Sequence, residues 1–329
     1  MLVLTAQDQA KLVQMDEVIE AVSIALAEYS SGRAIAPIRM SIPVDEHHGT
    51  ALFMPSLVAG ADSLGVKFVS VFPDNKRIGK KTIYGLMILS DMTTGEPLAI
   101  LEASYLTVIR TGAASGLATK LLARENAKVL GVIGTGAQSK GMIEAVRCVR
   151  KIEEVRLYNR SLDKAHALAA ELREEAGSEH LRIIVVEEAD QAVQGSDIVL
   201  TATNSSEPVF SAGAISPGLH VNAIGSFRPQ MQELPSALIA QASKVVVESI
   251  ESALDETGDL LIPIAQGVFS AEHIHAELGE IVNGLQQGRD NEDEITVFKS
   301  VGLAVMDVVV AKLLYDRAMQ VGIGQQVNL

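Results

Sequence analysis

Aromatic residues are scarce, at 4% of 329 positions, although hydrophobic residues reach 48%. A core with so few rings is aliphatic, and Val-, Ile- and Leu-rich cores suit parallel strands buried under helices on both faces. Positive charge is also in short supply: 27 Lys and Arg against 41 Asp and Glu leave a net charge of −14. That deficit argues against nucleic acid or an anionic membrane surface as a general partner. It also means that an anionic small ligand must be met by a few cations gathered locally. Cysteine occurs once, at Cys148, which excludes an intrachain disulfide. Its place beside Val146 and Val149 on an amphipathic stretch predicts a small buried thiol. No uncharged apolar run approaches the length of a membrane span. The opening MLVLTAQDQAKLVQMDEV lacks the basic start and long apolar centre of a secretory signal, so the expected setting is the cytoplasm. No Gly-x-Ser-x-Gly elbow is present, and Cys148 has no nucleophile-like context. His273 and His275 lack the carboxylate pattern of a metal site, and His47-His48 reads as an exposed turn, so no metal is expected.

What is present has a clear rhythm. The length allows two domains, each with its own core. Residues 5 to 30 predict a helix that Thr5 caps, with Leu12, Met15, Val18, Ile19, Val22 and Leu26 at helical spacing. From about 34 to 104, short apolar segments such as GTALFMPSLV, SLGVKFVSVF and YGLMILSD alternate with turn residues, which predicts a mostly antiparallel sheet. A second helix, LTVIRTGAASGLATKLLARENA, follows. From Ala127 the pattern becomes strand, helix, strand, helix, with strand candidates KVLGVIG, VRLYN, RIIVVE, DIVLTAT, HVNAIG and KVVVES. One of the helices between them is SLDKAHALAAELREEAG. Such alternation implies a doubly wound parallel sheet. Near Phe298 it stops, and KSVGLAVMDVVVAKLLYDRAMQ predicts one long apolar helix. The expected fold class is therefore α/β: a Rossmann-type domain over 121–297 inserted into an α+β domain made of 1–120 and 298–329. A simple tandem of two domains is the alternative; the last helix, too apolar to stand alone, favours the insertion.

Within the inserted part, GVIGTGAQS places Gly134 and Gly136 after an apolar strand and before a helix. Gly134 permits the tight turn, Gly136 lets backbone approach a pyrophosphate, and the helix start offers N–H groups and a positive dipole end. Ser139 stands at the third fingerprint position. The strand-turn-helix context predicts a dinucleotide site, with Thr135, Ala137 and Gln138 completing the turn and Thr203, at the end of DIVLTAT, expected on the cofactor side; the alternative is a glycine turn that only packs helix on strand. The next strand ends in Asn159-Arg160-Ser161, where an NAD-selective site carries an acid. An amide, a guanidinium and a hydroxyl all donate to phosphate oxygens, so NADPH is expected in preference to NADH, with NADH still usable. The alternative is that Arg160 is a solvated surface residue.

Before that region three cations stand in apolar or small-residue surroundings: Arg39 in APIRMSIP, Lys67 in LGVKFVSV and Arg110 in LTVIRTGAAS. Burial of an unpaired Lys67 is costly, and an anionic ligand would offset the cost. Two plainer readings stand beside this one: alternation that turns Lys67 to solvent, and a helix-terminal salt bridge for Arg110.

VIRTGAASGLATKLLAREN, GVIGTGAQS, VNAIGSFRPQMQEL and TVFKSVGLAVMD together resemble the ornithine cyclodeaminase/mu-crystallin family across nearly the whole chain. The resemblance implies a homodimer joined through its first-domain sheets, and activity on small amino or imino acids. It implies that Arg39, Lys67 and Arg110 bind the substrate carboxylate, and that Thr111 and the Gly134–Ser139 turn line the cofactor phosphates. Asn159, Arg160 and Ser161 resemble the NADPH-preferring members. Cyclodeaminases carry a catalytic Asp in a Gly-x-Asp-x-Pro loop; here the loop is Gly225-Ser226-Phe227-Arg228-Pro229. Phe227 in that place removes the proton acceptor, and either packs beside a small substrate ring or holds the loop on the core.

The expected function is reduction of 1-pyrroline-2-carboxylate to proline, and of 1-piperideine-2-carboxylate to pipecolate. Lys67 also relays a proton in this reading. The rival readings are ornithine cyclodeamination, alanine dehydrogenase-like reductive amination, and a non-catalytic NADPH-binding protein.

Overall fold

Strict alternation through SLGVKFVSV puts Val66 and Phe68 on one face of a strand and Lys67 on the other, and the rest of the first third repeats this period. The computed structural model describes residues 1–176 and 180–328. In chain order the first elements are β1 (Leu2–Leu4), α1 (Ala6–Leu12), α2 (Met15–Ser30), β2 (Ala34–Ile35), β3 (Met40–Val44), β4 (Gly49–Val58), β5 (Ser63–Val71), β6 (Ile83–Ser90), β7 (Pro97–Glu102) and α3 (Ala103–Leu122). Next come β8 (Val129–Ile133), α4 (Ala137–Val149), β9 (Glu154–Tyr158), α5 (Leu162–Ala176), β10 (Arg182–Val185), α6 (Ala189–Val193), β11 (Ile198–Thr201), β12 (His220–Ala223), α7 (Ser236–Gln241) and β13 (Lys244–Val247). The last are α8 (Ile250–Glu256), α9 (Gly258–Ala265), β14 (Ile274–Glu277), α10 (Leu278–Val282), β15 (Thr296–Lys299), α11 (Ala304–Val321) and β16 (Gln325–Gln326). The expected end of α5 at Gly177 and the C-terminal Leu329 lie outside the described residues.

The chain divides into two units, Met1–Arg110 with Leu303–Leu329, and Thr111–Gly302. The first unit holds an eight-stranded sheet in the order β16-β1-β7-β6-β5-β4-β2, with β3 on β4. Its β3 to β7 pairings are antiparallel, while β1 joins β7 in parallel. α11 packs on β4, β5 and β6 and also against α2. The covered face carries Met54, Lys67 and Met87 in register, all buried. The opposite face carries Val66, Ile88 and Ile100 in register, half-buried, with Tyr84 and Leu86 exposed.

The second unit is an all-parallel sheet of eight strands, β10-β9-β8-β11-β12-β15-β13-β14. Two aliphatic cores flank it, one built with α4 and α5 and the other on the opposite face. The fold is α/β with a Rossmann-type sheet. Strand order reverses between β8 and β11, which opens a crevice beyond their carboxyl ends.

Several local readings change. The single helix expected over 5–30 breaks at Val13 and Gln14, both extended; the apolar spacing survives because Leu12 and Met15 are each buried. Thr5 does cap α1, in a capping box with Asp8. The long helix expected from Lys299 starts only at Ala304, and Thr296–Lys299 form strand β15 in mid-sheet, since four buried residues are too short to display a period. Accordingly the units divide at Gly302/Leu303 rather than 297/298, and within α3 at Arg110/Thr111 rather than 120/121. Cys148 is exposed rather than buried: two residues beyond buried Val146, it lies far around α4 from the core-facing side. No helix among the described residues is long and apolar enough to cross a membrane.

Candidate functional site

The glycine-rich turn leaves β8 at Gly134, whose φ is +92° and whose N–H donates to the Tyr158 carbonyl at 2.9 Å. A Cβ there would lie 2.6 Å from the Ala202 carbonyl oxygen and 2.8 Å from Thr203 Cγ2, so both conformation and space require glycine. Gly136, by contrast, faces open space and serves as N-cap of α4 with no side chain to offer. The first-turn N–H groups of α4 and its dipole are thereby presented to an anion. Ser139 is fully buried and its Oγ donates to the Gly134 carbonyl at 2.6 Å, which explains a small hydroxyl at the third fingerprint position. These features fit a dinucleotide pyrophosphate. Thr135, Gly136 and Ala137 also line a cleft of about 320 Å³ whose other wall includes Lys164, Ala167 and Leu168 of α5.

At the end of β9 the three expected phosphate donors part company. Asn159 Oδ1 accepts from the Thr135 N–H at 3.2 Å and its Nδ2 donates to the Ser161 carbonyl at 2.9 Å. That carboxamide ties the turn to the strand end and is spoken for on both sides. Arg160 and Ser161 are exposed. Thr111, in α3, is buried, and Thr203 follows β11 at the crevice, its Oγ1 accepting from Ser205 N–H at 3.3 Å. Gln138 is half-buried on the first turn of α4.

In the first unit the cations gather around an acid that sequence reasoning missed. Asp307, on the first turn of α11, accepts from Lys67 Nζ at 2.6 Å and from Arg110 Nε at 3.0 Å. Lys67 and Arg110 are therefore not unpaired: Lys67 is 3% exposed, Arg110 6% and Asp307 0%. Arg110 sits mid-helix rather than at a helix end. Burial pulls Lys67 down to about 8; Asp307 opposes this, while Arg110 and Arg39 push further in the same direction. Burial raises the Asp307 carboxyl, but the two adjacent cations outweigh it and hold the group below its ordinary value. Arg39, half-buried between β2 and β3, is thus within electrostatic reach of Lys67. The two buried cations, Lys67 and Arg110, outnumber the one acid they share, Asp307. The signal available was an Asp alone in the apolar run LAVMDVVVA, placed on a buried helix face.

A second missed group lies in the second unit. Glu233, Asp259 and Lys299 are all fully buried. Glu233 Oε1 accepts from Thr203 N–H at 2.6 Å, and its Oε2 from Gly225 N–H at 2.6 Å and Thr201 Oγ1 at 3.0 Å. Asp259 Oδ1 accepts from the N–H groups of Glu233 and Leu234 at 2.7 and 2.9 Å, and its Oδ2 pairs with Lys299 Nζ at 3.0 Å. Burial raises the Glu233 carboxyl, and Lys299 pulls against that rise. Phe227, in the loop braced at Gly225, is 42% exposed, with the Arg228 guanidinium 5.5 Å from its ring centre. Among the described residues, no group of three His, Cys, Asp or Glu is placed to hold a metal ion.

The model of the ornithine cyclodeaminase/mu-crystallin family matches residues 1–322. The Delta(1)-pyrroline-2-carboxylate reductase of Bacillus cereus is 56% identical over 328 residues, covering 100% of both chains. The solved structure of Thermococcus litoralis Delta(1)-pyrroline-2-carboxylate reductase in complex with NADH and L-proline matches with a TM-score of 0.94 at 43% identity, covering 99% of this chain and 100% of that one. An archaeal alanine dehydrogenase dimer with bound NAD matches with a TM-score of 0.92 at 36% identity, covering 100% and 99%. A family match over residues 1–322, with a relative 56% identical along the full length, means that this chain belongs to the ornithine cyclodeaminase/mu-crystallin family.

Proposed function

We propose that this chain reduces a cyclic imino acid, 1-pyrroline-2-carboxylate, to L-proline, drawing the hydride from a reduced nicotinamide cofactor. The observation that carries the reading is the buried cluster of Lys67 and Arg110 on Asp307, with half-buried Arg39 within electrostatic reach of Lys67. Its surplus positive charge is a receptor for a small carboxylate, and burial strengthens that attraction relative to water. Asp307 fixes the Lys67 ammonium and the Arg110 guanidinium in place before substrate arrives, so less freedom is lost on binding. Bound at the Gly134–Ser139 turn, the nicotinamide nucleotide supplies the hydride. The chain's own task is then to hold the imine carbon in line and keep the nitrogen protonated. Lys67, with its proton leaving near pH 8, exchanges it within the working range and serves as the proton source. Relatives named as pyrroline-2-carboxylate reductases, one of them holding NADH and L-proline, support the same assignment.

Cyclodeamination is disfavoured by Phe227, whose exposed ring has no proton to exchange where the cyclodeaminase acid is expected. NADPH is preferred over NADH in this reading, because the end of β9 carries exposed Arg160 in place of an acid. The open face of the first unit's sheet, with Val66, Ile88, Ile100, Tyr84 and Leu86, is an apolar surface suited to a second copy of the chain, as in the dimeric alanine dehydrogenase relative. The test follows NADPH absorbance with pyrroline-2-carboxylate, with pyruvate plus ammonia, and with ornithine. Oxidation in the first mixture alone is expected. Turnover only in the second, or silence in all three, overturns the proposal.

A further inference from the structure

Several buried ionisable groups lie outside both the glycine turn and the cation cluster, and Glu233 is the one that faces the crevice strands. Its carboxylate collects three donors from two different strand ends, Thr201 and Thr203 at β11 and Gly225 at β12. Those ends are packed without slack. A Cβ on Gly225 would lie 2.0 Å from the Thr203 carbonyl oxygen and 2.6 Å from Glu233 Oε1. Thr203 in turn closes on Gly134, where an added Cβ would lie 2.8 Å from Thr203 Cγ2. A continuous chain of contacts therefore runs from the glycine turn through Thr203 to Glu233. Behind it, Asp259 fixes the Glu233 backbone and Lys299 neutralises Asp259.

We propose that Glu233 is a positioning residue for the nicotinamide-nucleotide site: its carboxylate holds the β11 and β12 ends that form the wall of the crevice facing the glycine turn. The inference rests on the cofactor reading above. Both carboxylate oxygens are acceptors, which suits three donors; an amide in the same place presents one N–H to another N–H and leaves a donor unmet. The same sheet supplies a matched control. Asp197, ahead of β11 at the opposite strand ends, accepts from the N–H groups of Lys128 and Val129 at 2.8 and 2.9 Å and pairs with Arg124. It braces β8 as Glu233 braces β11, but far from the carboxyl-end crevice.

The experiment titrates NADPH fluorescence against wild type, Glu233→Gln and Asp197→Asn, with thermal unfolding of each. The expected result is a Kd raised about tenfold, the equivalent of 1.4 kcal/mol, in E233Q only, although both variants lose thermal stability. An unchanged Kd in E233Q, or equal rises in E233Q and D197N, overturns the inference, because either outcome reduces Glu233 to a general brace. If E233Q does not fold, Thr201→Val, which removes only the hydroxyl donor, decides: a smaller rise in Kd supports the positioning role and an unchanged Kd refutes it. Wild type that binds neither NADPH nor NADH fails the cofactor reading itself, and this inference falls with it.

Discussion

Asp307→Asn is the substitution whose consequences the structure specifies most fully. It removes the acid that contacts Lys67 Nζ and Arg110 Nε, at 2.6 and 3.0 Å, and adds no bulk. Even with Asp307 present, the fall of Lys67 from 10.5 to about 8 corresponds to roughly 3 kcal/mol disfavouring its buried charge. Removing one partner of a buried ion pair costs about 3–5 kcal/mol, so D307N should lose that much stability near neutral pH. The pH dependence has a definite sign. A lysine whose folded pKa lies below its unfolded value binds fewer protons in the native state, so stability rises with pH from about 8 to 10.5 in the wild type. Without Asp307, whose charge raises Lys67, that window opens at a lower pH. The stability gap between D307N and wild type should therefore be widest near about pH 6 and narrow toward about pH 9, where the mutant lysine sheds its proton. Urea unfolding at both pH values measures this. A loss under about 1 kcal/mol, unchanged between the two, would show that the three groups do not share a buried cluster.

Other outcomes follow from single contacts. Arg160→Ala should lower the NADPH/NADH preference in kcat/KM about tenfold, the worth of a charge-assisted hydrogen bond to phosphate; an unchanged ratio removes Arg160 from cofactor selection. Gly134→Ala, at φ +92° and 2.6 Å from the Ala202 oxygen, should cost about 1–3 kcal/mol and weaken NADPH binding, read by melting and fluorescence titration; wild-type values in both would contradict the turn geometry. If the chain pairs through the face proposed for a second copy, Ile88→Lys, beside Val66 and Ile100, should scatter light as a monomer where wild type scatters as a dimer; a dimer in both, or a monomeric wild type, would refute that interface.

Much of this was legible along the chain because the signals are local. A strand, a Gly-x-Gly turn and a helix lie within GVIGTGAQS, and each needs only its neighbours to be recognised. The alternating first third and the aliphatic second part likewise announce an antiparallel and a parallel sheet through their periods. Lys67, Arg110 and Arg39 could be picked out by their apolar company, which is also a sequence property.

What the sequence withheld depends on distance along the chain and on register. Whether Lys67 faces solvent or a helix is decided by which side of the sheet α11 covers, and alternation alone permits either answer. Its counter-ion stands 240 residues away. Asn159 reads as a phosphate donor until the fold brings Thr135 to it, and Glu233 reads as an ordinary acid until two strand ends converge on its oxygens. The chain by itself determined most of the element types, the glycine turn and the roster of cations. Only the tertiary structure decided which charges meet, because a buried charge takes its energy from neighbours that folding alone brings within reach.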